Sequence, residues 1–507
     1  QDVQLVLDAI SEQLPDFHPD HADTDRDWLG VLPAVLCSSR FIGSLLRRDA
    51  GYLVELIDND SLFSALDTGR LAADLAASLA GLEDEQEIMR ILRRTRNQAM
   101  LQIAFRDLAG WASLTEVMQG LSETADALLS TALDRAYQLL VTRHGVPLGS
   151  DTRQPQQLVA LGMGKLGGGE LNFSSDVDLI FCFPENGETD AARPLANGEF
   201  FTRLARFYIK LLTTQTADGF VYRVDTRLRP NGDSGPLTLS FSAMDNYYQL
   251  HGRDWERYAF IKARVVAGDQ ANGKLMLDSL RPFVYRKYLD YAAVESIRDM
   301  KEMIERELSR KKEMQRNIKL GPGGIREVEF IAQAHQLIRG GRDRSLQSNS
   351  LLIVLEQLQA SNLIDDNEYQ VLSSGYEFLR RCENRLQMYA DQQTHNLPES
   401  PDQQLILARS MNFADWEDFY LALRQHMDAI HAIFHELFMA TARPEDNSQA
   451  RRLSHLWQNE LADEAACQLL EENNYEQADG LYSRLQTIRN SSLYRNLSTT
   501  ARERIDR

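Results

Sequence analysis

The chain has 507 residues, 43% of them hydrophobic, which is too long for one ordinary core and sets an expectation of roughly three domains. Asp and Glu number 74 against 55 Lys and Arg, a net charge of −19, which argues against a nonspecific grip on nucleic-acid backbone, although a local basic groove stays compatible with it. No apolar run approaches the ~20 residues of a membrane helix and no signal-peptide pattern is present, so neither nucleic acid nor membrane is an expected partner.

The four cysteines, Cys37, Cys182, Cys382 and Cys467, lie far apart and make no metal-ligand spacing. They read as thiols of a reducing compartment, which sets the expected location as cytoplasmic. The chain starts at Gln1 rather than Met and stops inside a polar, helix-like stretch, so it reads as a fragment.

Residues 1–120 show helical periodicity with short breaks. Leu71, Leu75, Leu79 and Leu82 fall on one stripe, Ile88, Ile91 and Leu92 on another, and Ser61 and Asp67 stand where N-caps are useful. No reactive side chains are brought together there, and a helical packing domain is expected. A helix over about 123–144 follows, closed by Gly145 and Pro147. Strands are expected near 157–163 and 177–183, and an amphipathic helix over 198–215. The segment FVYRVDTRLRP at 220–230 alternates cleanly: Phe220, Tyr222, Val224, Thr226 and Leu228 on one face, Val221, Arg223, Asp225, Arg227 and Arg229 on the other. It reads as a half-buried strand whose polar face, one acid among three arginines, suits a phosphate site.

From about Tyr285 the pattern is helical again. Residues 286–316 are dense in mixed charge with i,i+4 pairs and read as a solvated helix face. Gly321-Pro322-Gly323-Gly324 is a sharp break before a helix over 325–339, with Val328, Ile331, Ala334/His335 and Ile338 on one stripe. Further helices fill 350–440. The polar stretch 441–449, with Pro444, is the best linker. The expected division is therefore a helical domain over 1–120, a catalytic domain over 121–285, a helical bundle over 286–440, and a linker with the start of another helical region over 441–507.

The chemistry concentrates in 158–183, LVALGMGKLGGGELNFSSDVDLIFCF. Asp176 and Asp178, two apart at the start of a strand, point to one face and can share a divalent cation. The glycine turn before them brings backbone N–H groups that can hold a phosphate. Asp225, on the polar face of another strand, supplies a third acid. Gly164, Lys165, Gly167 and Gly168 then sit over a phosphate, and Ser174 and Ser175 can donate to its oxygens. Arg227, Arg229, Arg257, Lys262 and Arg264 are the candidate anion binders, some of which will instead pair with nearby acids such as Asp233, Asp254 and Glu256. Taken together these residues point to two-metal nucleotidyl transfer, with two Mg2+ ions held by Asp176, Asp178 and Asp225.

Competing motifs fail on spacing. Gly162–Gly167 fits GxGxxG, but a dinucleotide site needs a full helix next and an acid at the end of the second strand, whereas these acids begin it. No Ser or Thr follows Lys165, so the Walker A pattern fails. His431 and His435 mimic a helical zinc pair without the HExxH order and read as flanking a bundle core. Trp255 and Tyr258 suit adenine stacking and core packing equally. His395 has no role from spacing alone.

The glycine motif, the DxD some ten residues on and the third strand acid resemble the polymerase-beta-like nucleotidyltransferase superfamily. The chain also resembles one family within it, the bifunctional glutamine synthetase adenylyltransferase/adenylyl-removing enzymes, at 162–181, at VDTRLRPNGDSGPL (224–237), at YYQLHGRDWERYAFIKARVVAGD (247–269), at IKLGPGGIREVEFIAQAHQLIRGGR (318–342) and at CENRLQMYADQQTHNLP (382–398). The resemblance implies an α+β, predominantly helical protein: a nucleotidyltransferase domain with a small mixed sheet, flanked by helical domains. That family carries two such domains, one attaching AMP to a tyrosine of glutamine synthetase and one removing it with phosphate to give ADP. The adenylylating copy typically reads close to WTWEHQAL and GGIVDIEF where this chain has RDWERYAF (253–260) and GGIREVEF (323–330). The resemblance therefore implies the amino-terminal, adenylyl-removing half. Its implied partners are adenylylated glutamine synthetase, phosphate, ADP and the uridylylated PII signalling protein, with 2-oxoglutarate favouring removal and glutamine opposing it.

Overall fold

A computed structural model describes residues 2–13, 27–286, 316–439, 463–472, 477–491 and 494. The charged helix expected over 286–316 and the linker over 441–449 fall almost wholly, and wholly, outside the described residues.

The chain opens with helices α1 (Asp2–Gln13), α2 (Trp28–Ser38), α3 (Arg40–Arg48), α4 (Gly51–Asp58), α5 (Thr68–Leu79), α6 (Glu85–Leu108) and α7 (Leu114–His144). Asp67 caps α5 as its position predicts, accepting from the Arg70 N–H at 2.9 Å. Ser61 does not cap a helix; it begins a single 3-10 turn whose cap position is Asp60 in the left-handed region (φ 57°). Leu75, Leu79, Ile88 and Leu92 of the two predicted stripes are buried.

The small sheet follows. β2 (Val159–Gly162) and β3 (Val177–Phe183) run antiparallel, as do β2 and β7 (Arg264–Gly268); β5 (Val224–Asp225) and β6 (Thr238–Ser240) lie parallel to β3. β1 (Pro147–Gly149) and β4 (Gly187–Thr189) form a separate ribbon. Interleaved are α8 (Gly164–Gly167), α9 (Asn197–Thr213), α10 (Phe241–Leu250), α11 (Asp254–Phe260) and α12 (Gln270–Val284). An antiparallel β2–β3 pair joined by one four-residue helical turn is incompatible with a parallel βαβ dinucleotide unit. One face of the sheet is sealed by α7 and α9. Phe181 and Phe183 meet Tyr208 and Phe201 there with ring centroids 6.0 and 4.8 Å apart, and the Tyr208 hydroxyl donates to the Leu129 carbonyl at 3.0 Å.

The long strand expected over 220–230 is absent; only Val224 and Asp225 pair. The Val221 and Tyr222 N–H groups both go to the Leu212 carbonyl, so both side chains are buried and the alternation breaks. Beyond Asp225 the chain turns, because the Asp225 carboxylate accepts from the Arg227 N–H at 2.8 Å.

The second helical part comprises α13 (Ile325–Arg339), α14 (Leu351–Ala360), α15 (Asp366–Met388), α16 (Pro401–Ser410) and α17 (Trp416–Met439). α13 matches its predicted bounds. α15 has an apolar side and a line of buried polar residues, Arg380, Glu383, Asn384, Arg385 and Gln387. These reach the rest of the molecule: Arg385 holds Asp107 of α6, and the Met388 carbonyl accepts the Ser39 hydroxyl at 2.7 Å. The residues to Phe434 accordingly form one compact unit. A second unit, His435–Arg507, contains α18 (Asp463–Glu472) and α19 (Ala478–Asn490), packed through Ala466, Leu469, Leu470, Ala478 and Tyr482. Among the described residues no single helix is long and apolar enough to cross a membrane.

His335, on α13, carries a buried Nε2 with no hydrogen-bond partner, and burial, then Arg339, pulls its pKa down to about 4. The unfolded chain therefore binds one more proton than the folded chain between pH 6.5 and 4. Stability contributed by this residue is complete above 6.5 and falls by roughly 3 kcal/mol as pH drops through that window. Denaturation midpoints measured from pH 7 to 4 should fall less steeply in His335→Leu than in the parent; parallel curves would show that another group governs the acid limb.

Candidate active site

β3 and β5 place two of the predicted acids side by side. Their register sets Asp178 opposite Asp225, and Asp176 stands immediately before β3. All three line one cavity of about 400 Å³. The sheet side is completed by Gly164, Lys165, Ser175, Arg227 and Leu228, and a second wall by Tyr258, Ala259 and Lys262. The far wall comes from the second helical part: Lys319, Glu329, Gln333, Gln393 and His395.

The acids are unequal. Asp176 accepts from Arg223 Nε at 2.6 Å, and Asp225 accepts from Arg227 Nε at 2.8 Å. Hydrogen bonding from Arg227 holds Asp225 below the usual carboxylate range. Asp178 forms no ion pair among the described residues. Burial first, then Asp225 and Asp176, pushes its carboxyl up to about 6. Three carboxylates have thus been gathered where their charges repel, an arrangement that costs stability.

The glycine turn lies against this cluster for steric reasons. Gly164 has φ +54°, and a Cβ there would lie 3.1 Å from an Asp178 carboxylate oxygen. A Cβ on Gly167 would stand 1.8 Å from the Lys262 carbonyl, so only glycine lets the turn pack on the chain entering β7. Lys165 lines the cavity, but its ammonium contacts both oxygens of Glu383 on α15 at 2.7 and 2.9 Å. Burial draws Lys165 down to about 7 against that partner, while Glu383, despite its own burial, is held well below its ordinary value by Lys165 and then His395. Lys262 sits between Glu170 at 2.9 Å and Glu329 at 3.1 Å. Burial raises Glu329, but Lys262, followed by Lys165, Lys319 and Arg380, outweighs it and carries Glu329 to about 2.

The other predicted residues stand outside the cavity. Ser174 is buried, with its N–H on Gln387 and its carbonyl accepting from Arg223. Gly167 and Gly168 pack against backbone. Arg229 is tied to the Thr226 carbonyl at 2.8 Å and to Asp233. Arg257 donates to the Phe283 and Val284 carbonyls and to Asp254, fastening α11 to α12. Arg264 binds Asp126 at 2.7 Å and the Leu166 carbonyl at 3.0 Å, bracing the glycine turn from behind. Arg229, Arg257 and Arg264 are thus structural partners, because each faces a nearby acid or carbonyl rather than the cavity. Trp255 is exposed and away from the cavity, whereas Tyr258 lines it. His431 faces Glu327 at 3.1 Å instead of a metal.

Lys319, Gln333, Gln393 and the Glu383–His395 pair escape spacing arguments because they lie about 95 to 220 residues from the three acids. Their only sequence signal is the family-like segments 318–342 and 382–398.

Among the described residues no three His, Cys, Asp or Glu side chains converge as a finished metal-ligand set. The reason is local: Asp176 is turned to Arg223 and Asp225 to Arg227. The donor chemistry fits a hard divalent cation, since three carboxylates share one cavity and the half-buried Asp178 forms no ion pair among the described residues. Asp176, Asp178 and Asp225 are the residues that would hold it.

Comparison with known proteins places these features in context. Residues 29–278 match the model of the glutamate-ammonia ligase adenylyltransferase family, and residues 298–438 match the GlnD PII-uridylyltransferase model. The chain is 47% identical over 482 residues to a bifunctional glutamine synthetase adenylyltransferase/adenylyl-removing enzyme of Nitrosococcus oceani, covering 94% of this chain and 50% of that protein. Proteins of the same description from Thioalkalivibrio sulfidiphilus (45% over 486 residues, 94% and 50% covered) and Pseudomonas putida (47% over 483 residues, 93% and 49% covered) are similar in the same way. The chain spans about half the length of the curated relatives it matches.

Proposed function

The chain belongs to the family of bifunctional glutamine synthetase adenylyltransferase/adenylyl-removing enzymes, and from that premise we propose that its cavity removes AMP from adenylylated glutamine synthetase. The observation that carries this reading is the in-register Asp178–Asp225 pair, with Asp176 beside it and the Gly164–Lys165 turn over the same cavity. Gathered acids next to a backbone turn suit displacement at phosphorus. The choice of removal over attachment rests on the likeness of 253–260 and 323–330 to the adenylyl-removing half.

In the proposed reaction an oxygen of hydrogen phosphate attacks the phosphorus of the adenylyl-tyrosine. A new P–O–P bond forms, the bond from phosphorus to the tyrosine oxygen breaks, and the proton of hydrogen phosphate ends on tyrosine. The products are ADP and unmodified tyrosine. A tyrosine oxygen leaves with a pKa near 10, so it demands little proton donation. Two Mg2+ ions, held by Asp176, Asp178 and Asp225, would neutralise charge on the phosphoryl oxygens. The chain's own groups orient the rest: the Gly164 turn and Ser175 stand beside the phosphoryl site, and Tyr258 with Ala259 offers an apolar wall for the base. Uridylylated PII and 2-oxoglutarate would favour this reaction and glutamine oppose it.

Two parallel assays test the direction. With Mg2+ and phosphate, AMP-modified glutamine synthetase should release ADP; with Mg2+ and ATP, unmodified glutamine synthetase should gain no AMP. AMP incorporation in the second assay together with silence in the first would reverse the assignment.

A further inference from the structure

Among the described residues, every lysine and arginine in the cavity wall except one is in an ion pair. Lys165 is held by Glu383, Lys262 by Glu170 and Glu329, and Arg227 by Asp225. Lys319 makes no ion pair among the described residues, yet it lines the cavity and is near enough to Asp178 to oppose the rise of that carboxyl.

Its position is fixed by backbone. The Asn317 side chain accepts from the Lys319 and Leu320 N–H groups at 3.0 and 2.7 Å, and the Lys319 carbonyl accepts from the Arg326 N–H at the start of α13. The turn between them needs Gly323 (φ +72°), where a Cβ would meet the Met427 backbone at 1.7 Å. The segment carrying Lys319 is also zipped to the segment carrying His395. The Ile318 N–H donates to the His395 carbonyl at 3.0 Å, the Leu397 N–H to the Arg316 carbonyl at 2.9 Å, and the Asn317 side-chain amide to Asn396 at 2.8 Å. Two stretches about 75 residues apart are thus locked together at the cavity wall facing the acids.

His395 stands beside a buried acid. Its Nδ1 lies 2.8 Å from an oxygen of the fully buried Glu383, an ion-pair distance rather than an aligned hydrogen bond, while the residue lines the cavity. A lysine in no ion pair among the described residues and an imidazole beside a buried carboxylate, lining the same cavity as the carboxylate cluster, form a receptor for a small tetrahedral oxyanion.

We propose that Lys319 and His395 form the subsite for the attacking inorganic phosphate, in the cavity they line together with Asp176, Asp178 and Asp225. This rests on the phosphorolysis reading of the same cavity and adds which residues seat the nucleophile. It also separates the two phosphorus centres, with the adenylyl phosphoryl against the acids and the free phosphate against the cations.

The test varies phosphate and AMP-modified glutamine synthetase independently. In Lys319→Gln and in His395→Asn the KM for phosphate should rise roughly tenfold or more, while the KM for the modified protein stays within about twofold; Lys319→Arg should recover part of the loss. Melting curves overlaying the parent's show that each variant is folded. An unchanged phosphate KM, or a rise confined to the modified protein, overturns the subsite. Calorimetric titration of inorganic phosphate into the chain separates the two proposals. Binding lost in Lys319→Gln with no ADP-forming turnover in the parent would keep the subsite and sink phosphorolysis. Phosphate-dependent turnover that Lys319→Gln leaves untouched would do the reverse.

Discussion

Asp178→Asn should lose activity by roughly three orders of magnitude or more, equivalent to about 4 kcal/mol of transition-state stabilisation, while making the protein more stable. Both outcomes follow from one observation. Asp178 is half-buried beside Asp225 and Asp176, and desolvation first, then those two acids, keeps its carboxyl near 6. A carboxyl raised above its unfolded value penalises the native state as pH climbs from about 4 through 6, and the penalty is complete at pH 7. Replacing the charge with an amide of the same shape removes a desolvation and repulsion penalty worth about 1–3 kcal/mol, and would remove the proposed cation ligand at the same time. Urea denaturation at pH 7 beside an ADP-release assay reads both. A variant that loses activity and stability together would mean damaged packing, and full activity would remove the acids from the mechanism.

The second large effect concerns the far wall. Arg380 of α15 is fully buried. It donates to the Tyr376 hydroxyl at 2.7 Å, to the Glu170 carbonyl at 2.6 Å and to Asn172, and lies 3.3 Å from Glu383. It thereby joins the helix that orients Lys165 and His395 to the loop between the glycine turn and β3. Removing one member of a buried charge network strands the others, a loss of about 3–5 kcal/mol. Arg380→Met should lower unfolding free energy by that amount in urea. It should also reduce turnover under conditions where the protein is still folded, because Glu383 loses its setting. A change below about 1 kcal/mol would show that α15 is held by its apolar face and that the ionic network is incidental.

The helices and the acid cluster were legible because their signals are local. Periodicity marks α13, and the turn-then-DxD pattern marks the acids that β3 and β5 bring together. Local signals also misled. Alternation over 220–230 suggested one long strand, but two consecutive N–H groups converging on the Leu212 carbonyl end that regularity. Arg229, Arg257 and Arg264 looked like anion binders by type and neighbourhood, yet each has a nearer acid or carbonyl. Lys165 was readable as a phosphate ligand only so long as Glu383, 218 residues further on, was out of view. The wall bearing Lys319 and His395 depends on pairing between distant loops, which no spacing in the chain encodes.

The most direct measurement follows isotopic phosphate. The chain is incubated with Mg2+, AMP-modified glutamine synthetase and phosphate labelled at phosphorus, and the nucleotide product is separated. ADP should carry the label in its β-phosphate, with none formed by Asp178→Asn. Release of unlabelled AMP, or no nucleotide without ATP, would contradict it.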